Sequence, residues 1–140
     1  LLAFVNSSHV FDLAFDNAID VAVGNHPSLI KVPEDFEVGL FPAPIGTDIK
    51  AHSLVLSQKY IAQSKAPLLL NTCTNDTAFP HETQAKADEV FKDFAPGYKR
   101  EYFEGCTHGF AVRGDLSDPK AKAGLEGAFA ASVKWFKTHL

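Results

Sequence analysis

The residues best suited to chemistry are one histidine and one aspartate, each of which follows a predicted strand. His108 lies beyond a predicted strand at residues 98–103, beside Gly109, which leaves the imidazole room to reach a substrate. Asp76 follows a predicted buried strand at residues 67–71. A histidine exchanges a proton near neutral pH, and a carboxylate on one ring nitrogen orients the other as a general base. Together the two residues predict proton-transfer chemistry.

Each of these residues also has a structural interpretation. His108 alone could be a loop histidine bonded to the backbone, and Asp76 alone could cap the helix predicted to start near Pro80. Their positions on successive strand ends favour the functional interpretation. An acid after one strand and a histidine after a later one is the chain order of α/β-hydrolase triads, in which the nucleophile comes first.

The nucleophile is not recognisable. A strand-to-helix elbow would read G-x-S-x-G or G-x-C-x-G, and no such pentapeptide occurs. The run Gly105-Cys106-Thr107-His108-Gly109 has glycines at both ends, but its cysteine is one place early and too near the histidine in sequence. Packing beside the loop is the better interpretation of Cys106, and Cys73 is interpreted as a buried strand-end residue.

Arg113 lies five residues beyond His108. A guanidinium there could pair with a substrate carboxylate through two hydrogen bonds. A salt bridge to Asp115 or Asp118 is an equally good interpretation of the spacing.

The sequence predicts neither a metal nor another cofactor. Thiolate and imidazole suit zinc, but none of the close ligand pairs of a structural zinc motif, such as C-x2-C, is present. The residues that could be gathered for such a site are Cys73, Asp76, His81, Cys106 and His108. The remaining histidines are interpreted as surface or turn residues: His9, His26, His52 and His139.

Composition narrows the class of protein. The 140 residues are 46% hydrophobic and include 12 Phe, enough for the core of one domain. With 17 acidic and 13 basic residues the net charge is -4, which disfavours nucleic-acid binding. No run approaches the roughly 18 apolar residues of a membrane span. Two cysteines do not make a disulfide framework, so a reducing, cytoplasmic setting is expected.

Hydrophobic patterning predicts an α/β fold, a parallel sheet flanked by helices. Buried strands are expected at 20–24 and 67–71 and an edge strand at 98–103. Helices are expected at 9–15, 51–64, 80–94 and from Asp118 to His139. The last helix is predicted to face inward with Leu125, Phe129, Val133 and Phe136.

Several of these segments resemble the dienelactone hydrolase family of α/β-hydrolases, especially its fungal members. The most specific match is Gly105-Cys106-Thr107-His108-Gly109-Phe110-Ala111-Val112-Arg113-Gly114-Asp115. Weaker matches are residues 66–72 through Asp76, Phe79-Pro80, His26-Pro27-Ser28 and the closing Trp135-Phe136. The resemblance implies hydrolysis of small-molecule esters or lactones, with Asp76 as triad acid, His108 as triad base and Arg113 near the arginine that holds the substrate carboxylate.

The chain also departs from the family pattern. The family's cysteine nucleophile would precede the helix at 9–15, where residues 1–8 hold neither glycine nor cysteine. Residues 37–59 look like an atypical insertion. We therefore expect residues 1–140 to form a single partial α/β-hydrolase domain, catalytically silent alone, whose exposed sheet edge favours self-association or a partner chain. The alternative is a non-catalytic binding or assembly module on the same fold.

Overall fold

The computed structural model describes residues 2–3, 7–27, 60 and 63–140. In these residues the strands form one parallel sheet in the order β1-β2-β3-β4, and each strand pairs with the next. The strands are β1 (Leu2–Ala3), β2 (Val21–Asn25), β3 (Leu68–Asn75) and β4 (Tyr98–Thr107). The predicted α/β fold is confirmed, and β4 lies at an edge of the described sheet as expected.

The described helices are α1 (Ser7–Phe15), α2 (His81–Phe91), α3 (Phe110–Arg113) and α4 (Pro119–His139). The start of α4 agrees with its sequence signal, because Asp118 accepts a hydrogen bond of 2.9 Å from the backbone N–H of Lys120 and Pro119 occupies the first helical position. None of the helices in the described ranges has both the length and the apolar character of a membrane span.

The two strands nearest the candidate site run further than the sequence predicted. β3 continues to Asn75 and β4 to Thr107, and their pairing shifts register between Cys73 and Asn75. Polar residues that resembled turn signals are instead tied between the strands, since the N–H of Gly105 donates to the Thr74 hydroxyl at 2.8 Å. Both strands therefore end directly before the residues that could do chemistry.

One face of the sheet carries the larger core. Leu68 and Leu70, two residues apart on β3, pack there with α1 and with the end of α2. The inward side of α2 is as predicted: Phe91 and the following Phe94 are buried. This core comprises Val10, Phe11, Ala14, Ile19, Ala22, Tyr60, Ala66, Leu68, Leu70, Phe79, Phe91 and Phe94.

The opposite face is covered by α3 and α4, and here one prediction was wrong. The residues of α4 that are buried are Gly124, Ala128 and Ser132, four apart, whereas Phe129 is 64% exposed. Small residues let the helix lie close to the sheet: a Cβ on Gly124 would sit 2.4 Å from the Cys106 sulfur. The inward face predicted from the large apolar residues of α4 was therefore wrong. Of the residues predicted to face inward, Leu125, Val133 and Phe136 are half-buried.

A polar network joins β4 to α2. The carboxylate of Asp88 accepts hydrogen bonds of 2.9 Å from the Tyr98 hydroxyl and from Nε of Arg100. Arg100 also donates to Gln84 at 3.2 Å. These contacts fix the outer strand against the helix that follows Asp76.

Two predictions fall mainly outside the described residues. The insertion at 37–59 lies wholly outside them, and of the helix predicted at 51–64 only residues 60, 63 and 64 are described. Tyr60 is fully buried, with its ring in edge contact with those of Phe11 and Phe91.

Candidate active site

Three polar side chains follow three neighbouring strands. β2 ends at Asn25, β3 at Asn75 and β4 at Thr107, and the next residues are His26, Asp76 and His108. Parallel neighbours end at the same edge of a sheet, where ligands of α/β proteins bind. The backbone N–H of His108 donates to the Asn75 carbonyl at 2.9 Å, which ties two of these strand ends together.

The predicted meeting of Asp76 and His108 is confirmed. Nδ1 of His108 lies 2.9 Å from Oδ1 of Asp76, and the side chains are 25% and 1% exposed. This contact does not have the geometry of a regular hydrogen bond, and Oδ2 of Asp76 has no hydrogen-bond partner among the described residues. Catalytic hydrogen bonds are often poorly aligned before substrate binds, and Nε2 of His108 is the nitrogen left for a reacting group.

Asp76 is held by its own backbone turn. Its Oδ1 accepts hydrogen bonds of 2.9 Å from the N–H groups of Ala78 and Phe79. The capping interpretation from the sequence therefore has a counterpart in the structure, because the carboxylate fixes the turn leading into α2. One oxygen does both jobs: it anchors the turn and faces the imidazole.

His26 is the residue that sequence reasoning missed. It was interpreted as a surface or turn residue, but its ring contacts that of His108 with centroids 5.0 Å apart and planes at 71°. The signal that could have found it is the one used for the other two, a polar residue directly after a buried strand. Burial lowers the pKa of His26 below its usual value of 6.5, and the nearby His108 lowers that pKa further.

Arg113 lies at the end of α3 and is exposed. Its side chain folds back over Gly109: a Cβ there would lie 2.7 Å from the Arg113 Nε, and Gly109 has φ +92°. Among the described residues no ion pair joins Arg113 to Asp115 or Asp118, which accept hydrogen bonds from Ser117 and Lys120 instead. The guanidinium thus lies beside the loop that carries His108.

Neither cysteine is presented as a nucleophile. Burial raises the pKa of the Cys73 thiol to about 12, with Asp76 and Cys106 adding to the rise. Cys106 is also buried, its thiol donates to the Lys120 carbonyl at 3.4 Å, and burial raises its pKa. Reactive cysteines have depressed pKa values and partial exposure, so both thiols fit packing roles.

No group of three or more histidine, cysteine or acidic side chains within the described part of the chain could hold a metal ion. The five residues considered from the sequence are therefore not gathered into a metal centre there.

A parallel α/β sheet with an aspartate–histidine pair at adjacent strand ends is the arrangement of the α/β-hydrolase class. The sequence model of the dienelactone hydrolase family matches residues 10–140. The chain belongs to the dienelactone hydrolase family.

Fungal hydrolases are among the relatives. The chain is 26% identical over 101 residues to hydrolase tropI of Talaromyces stipitatus, and 26% identical over 101 residues to hydrolase pyvD of Aspergillus violaceofuscus. These matches cover 72% of this chain but only 40% and 41% of the relatives. Dienlactone hydrolase 2 of Gibberella moniliformis is 30% identical over 71 residues, covering 51% of this chain and 30% of that relative. The matched part of this chain thus spans less than half the length of each of these relatives.

Proposed function

We propose that this chain carries the acid–base part of a hydrolase that acts on small-molecule esters or lactones. The observation that carries the proposal is the Asp76–His108 pair, 2.9 Å apart at the ends of adjacent parallel strands. Membership of the dienelactone hydrolase family supports it.

In the proposed reaction His108 acts as the base through Nε2. It takes the proton of a thiol nucleophile, the sulfur attacks the ester carbonyl, and the alcohol leaves with a proton returned by the imidazolium. Water, activated by the same imidazole, then hydrolyses the thioester and releases the acid and the thiol. Asp76 stabilises the imidazolium and directs Nδ1, as the acid of a triad does.

Arg113 is proposed to hold a carboxylate on the substrate. Its guanidinium is exposed and lies over Gly109. Among the described residues it forms no ion pair with Asp115 or Asp118. A planar guanidinium binds a carboxylate through two parallel hydrogen bonds. The substrate class we favour is therefore an ester or lactone that also carries a carboxylate. Two free, buried cysteines suit a reducing compartment such as the cytoplasm.

The thiol nucleophile is not assigned to either cysteine of this sequence, because both are buried and their pKa values are raised. The same observation favours a second candidate function, a non-catalytic binding module that keeps the hydrolase fold. The two differ in whether a cysteine in a glycine-flanked elbow is encoded upstream of Leu1.

The test is hydrolysis of p-nitrophenyl acetate by the 140-residue chain and by the chain extended with any coding sequence found upstream. We expect the 140-residue chain to stay at the buffer rate and the extended protein to turn over. In the extended protein, His108→Ala should lower kcat/KM by about 100-fold or more. Cys106→Ser and Cys73→Ala, the matched thiol controls, should leave kcat/KM nearly unchanged.

Three results would reject the hydrolase proposal or its assignment of roles. Equal turnover by the extended wild type and its His108→Ala variant removes His108 from the reaction. Turnover by the 140-residue chain that disappears in Cys106→Ser makes Cys106 the nucleophile. An extended protein without an elbow cysteine and without turnover supports the binding module.

A further inference from the structure

His26 lies between two other rings at the carboxyl edge of the sheet. Its ring centroid is 5.0 Å from that of His108 and 6.0 Å from that of Phe110, in edge contacts at 71° and 69°. Phe110 is 1% exposed and belongs to the core beneath α4. The ring of His26 thus lies between the buried core and His108, the more exposed residue of the Asp76–His108 pair.

The backbone of His26 is fixed by hydrogen bonds. Its backbone N–H donates to the Asn71 carbonyl at 2.7 Å, and its φ of +37° is one that a residue other than glycine rarely adopts. The Asn71 side chain in turn donates to Asn25 at 2.6 Å and to Ser132 at 3.2 Å. Backbone strain that the surrounding structure maintains is concentrated at functional sites. The strained conformation of His26 therefore suggests a functional role.

A hydrogen bond from the ring to another residue is not that role. Both ring nitrogens of His26 are shielded from water, and neither makes a hydrogen bond of regular geometry to another residue in the described part of the chain; the polar interaction of the ring is with its own backbone. The ring nitrogens of a buried histidine with a purely structural role normally make hydrogen bonds. In the described part of the chain, the ring packs against the rings of His108 and Phe110.

The surroundings of His26 lower its pKa and so favour the neutral ring. Burial is the main cause of its lowered pKa, and the charges of His108 and, less strongly, Arg113 act in the same direction, while the interaction of the ring with its own backbone and the charge of Asp76 oppose them. A neutral ring can stand against His108 without repelling the imidazolium that forms when His108 takes up a proton. A permanently charged side chain at position 26 would repel it.

We propose that His26 is a positioning residue for His108: its ring, fixed by the backbone hydrogen bond to Asn71 and packed against Phe110, keeps the His108 imidazole turned toward Asp76. The role is needed because His108 is followed by Gly109 at φ +92°, and its contact with Asp76 is not a well-aligned hydrogen bond by itself. The catalytic purpose of this positioning rests on the proposed hydrolase function, but the positioning itself does not require turnover.

The experiment measures the ring nitrogen signals of His108 by ¹⁵N NMR in the 140-residue chain at neutral pH. In the wild type we expect the tautomer with the proton on Nδ1, the atom facing Asp76. His26→Asn tolerates a positive φ but removes the ring, so the His108 signals should shift toward those of the exposed His81 in the same spectrum. His26→Phe restores a ring and should restore the wild-type signals.

His139→Ala is the matched control, because it removes a histidine ring that packs on Trp135 at the far end of α4. It should leave the His108 signals unchanged. A folded His26→Asn variant whose His108 signals match the wild type overturns the proposal, as does a His26→Phe variant that fails to restore them.

If His26→Asn does not fold, a second measurement decides. The pKa of His26 is followed in the wild type and in His108→Phe, and we expect it to rise in the variant because the charge of His108 lowers it. No change in that pKa overturns the proposal. A positive NMR result with no ester turnover in the extended protein would reject the hydrolase function while leaving the positioning role intact.

Discussion

Replacement of Asp76 tests whether one carboxylate oxygen serves both the turn and the histidine. Oδ1 accepts two backbone hydrogen bonds of 2.9 Å, from Ala78 and Phe79, and also lies 2.9 Å from Nδ1 of His108. Asp76→Ala deletes this acceptor and leaves the N–H of the buried Phe79 unpaired. At about 1.5 kcal/mol for each hydrogen bond to a charged group, the expected loss in free energy of unfolding is about 3 kcal/mol.

Asp76→Asn should behave differently. The two backbone donors require an oxygen at the position of Oδ1, so the amide NH2 takes the place of Oδ2 and the carbonyl still faces His108. The expected loss in free energy of unfolding is about 1 kcal/mol, because the anchoring bonds remain but lose their charge. His108 should keep its proton on Nδ1, whereas an amide that turned its NH2 toward the ring would impose the opposite tautomer.

The assays are urea unfolding for stability and ¹⁵N NMR for the tautomer of His108. Asp118→Ala is the matched control, since that carboxylate accepts one backbone hydrogen bond of 2.9 Å at an exposed helix start and its removal should cost about 1 kcal/mol. The reasoning is refuted if the two Asp76 variants lose the same stability. It is also refuted if Asp76→Asn moves the His108 proton to Nε2.

Three further predictions concern packing, pH and the polar network. Gly124→Ala should lower the free energy of unfolding by about 1–3 kcal/mol, because its Cβ would lie 2.4 Å from the sulfur of Cys106. The loss should be smaller when Cys106 is replaced by Ala as well. Equal losses in the two backgrounds, measured by urea unfolding, would contradict this prediction. The pKa of His26 is lowered in the folded chain, so the unfolded chain binds a proton more readily as pH falls below 6.5. The wild type should therefore lose stability relative to His26→Phe as the pH falls through and below 6.5, and parallel stability curves would argue against a depressed pKa. Asp88→Asn should lower the free energy of unfolding by roughly 1 kcal/mol after solvent screening, because Arg100 loses a charged partner that is 41% exposed; an unchanged urea midpoint would show that this pair adds no stability.

The main elements of the fold were predictable because their signals are local. The apolar run before Asn25 and the apolar run before Asn71 each predict a buried strand, and Asp118-Pro119 predicts a helix start. The structure places β2, β3 and α4 accordingly. The proximity of Asp76 and His108 was predictable for a related reason, since parallel strands end at one edge of the sheet.

Other features could not be predicted from local patterns. The inward face of α4 is formed by small residues around Ala128, and Phe129 is exposed, because closeness of approach to the sheet decides which face is buried. β3 and β4 extend to Asn75 and Thr107 because polar residues pair across strands, and only the partner strand makes that pairing favourable.

The sequence by itself determined the α/β architecture and the family, and it predicted that Asp76 and His108 meet, because each depends on residue types at fixed spacing. The tertiary structure decided what surrounds them: that Oδ1 of Asp76 is shared between a turn and an imidazole, that both thiols are buried, and that the ring of His26 packs against His108. Some of these contacts join residues far apart in sequence: the two histidines are 82 positions apart (108 minus 26). Contacts of that range exist only once the strands have been brought side by side.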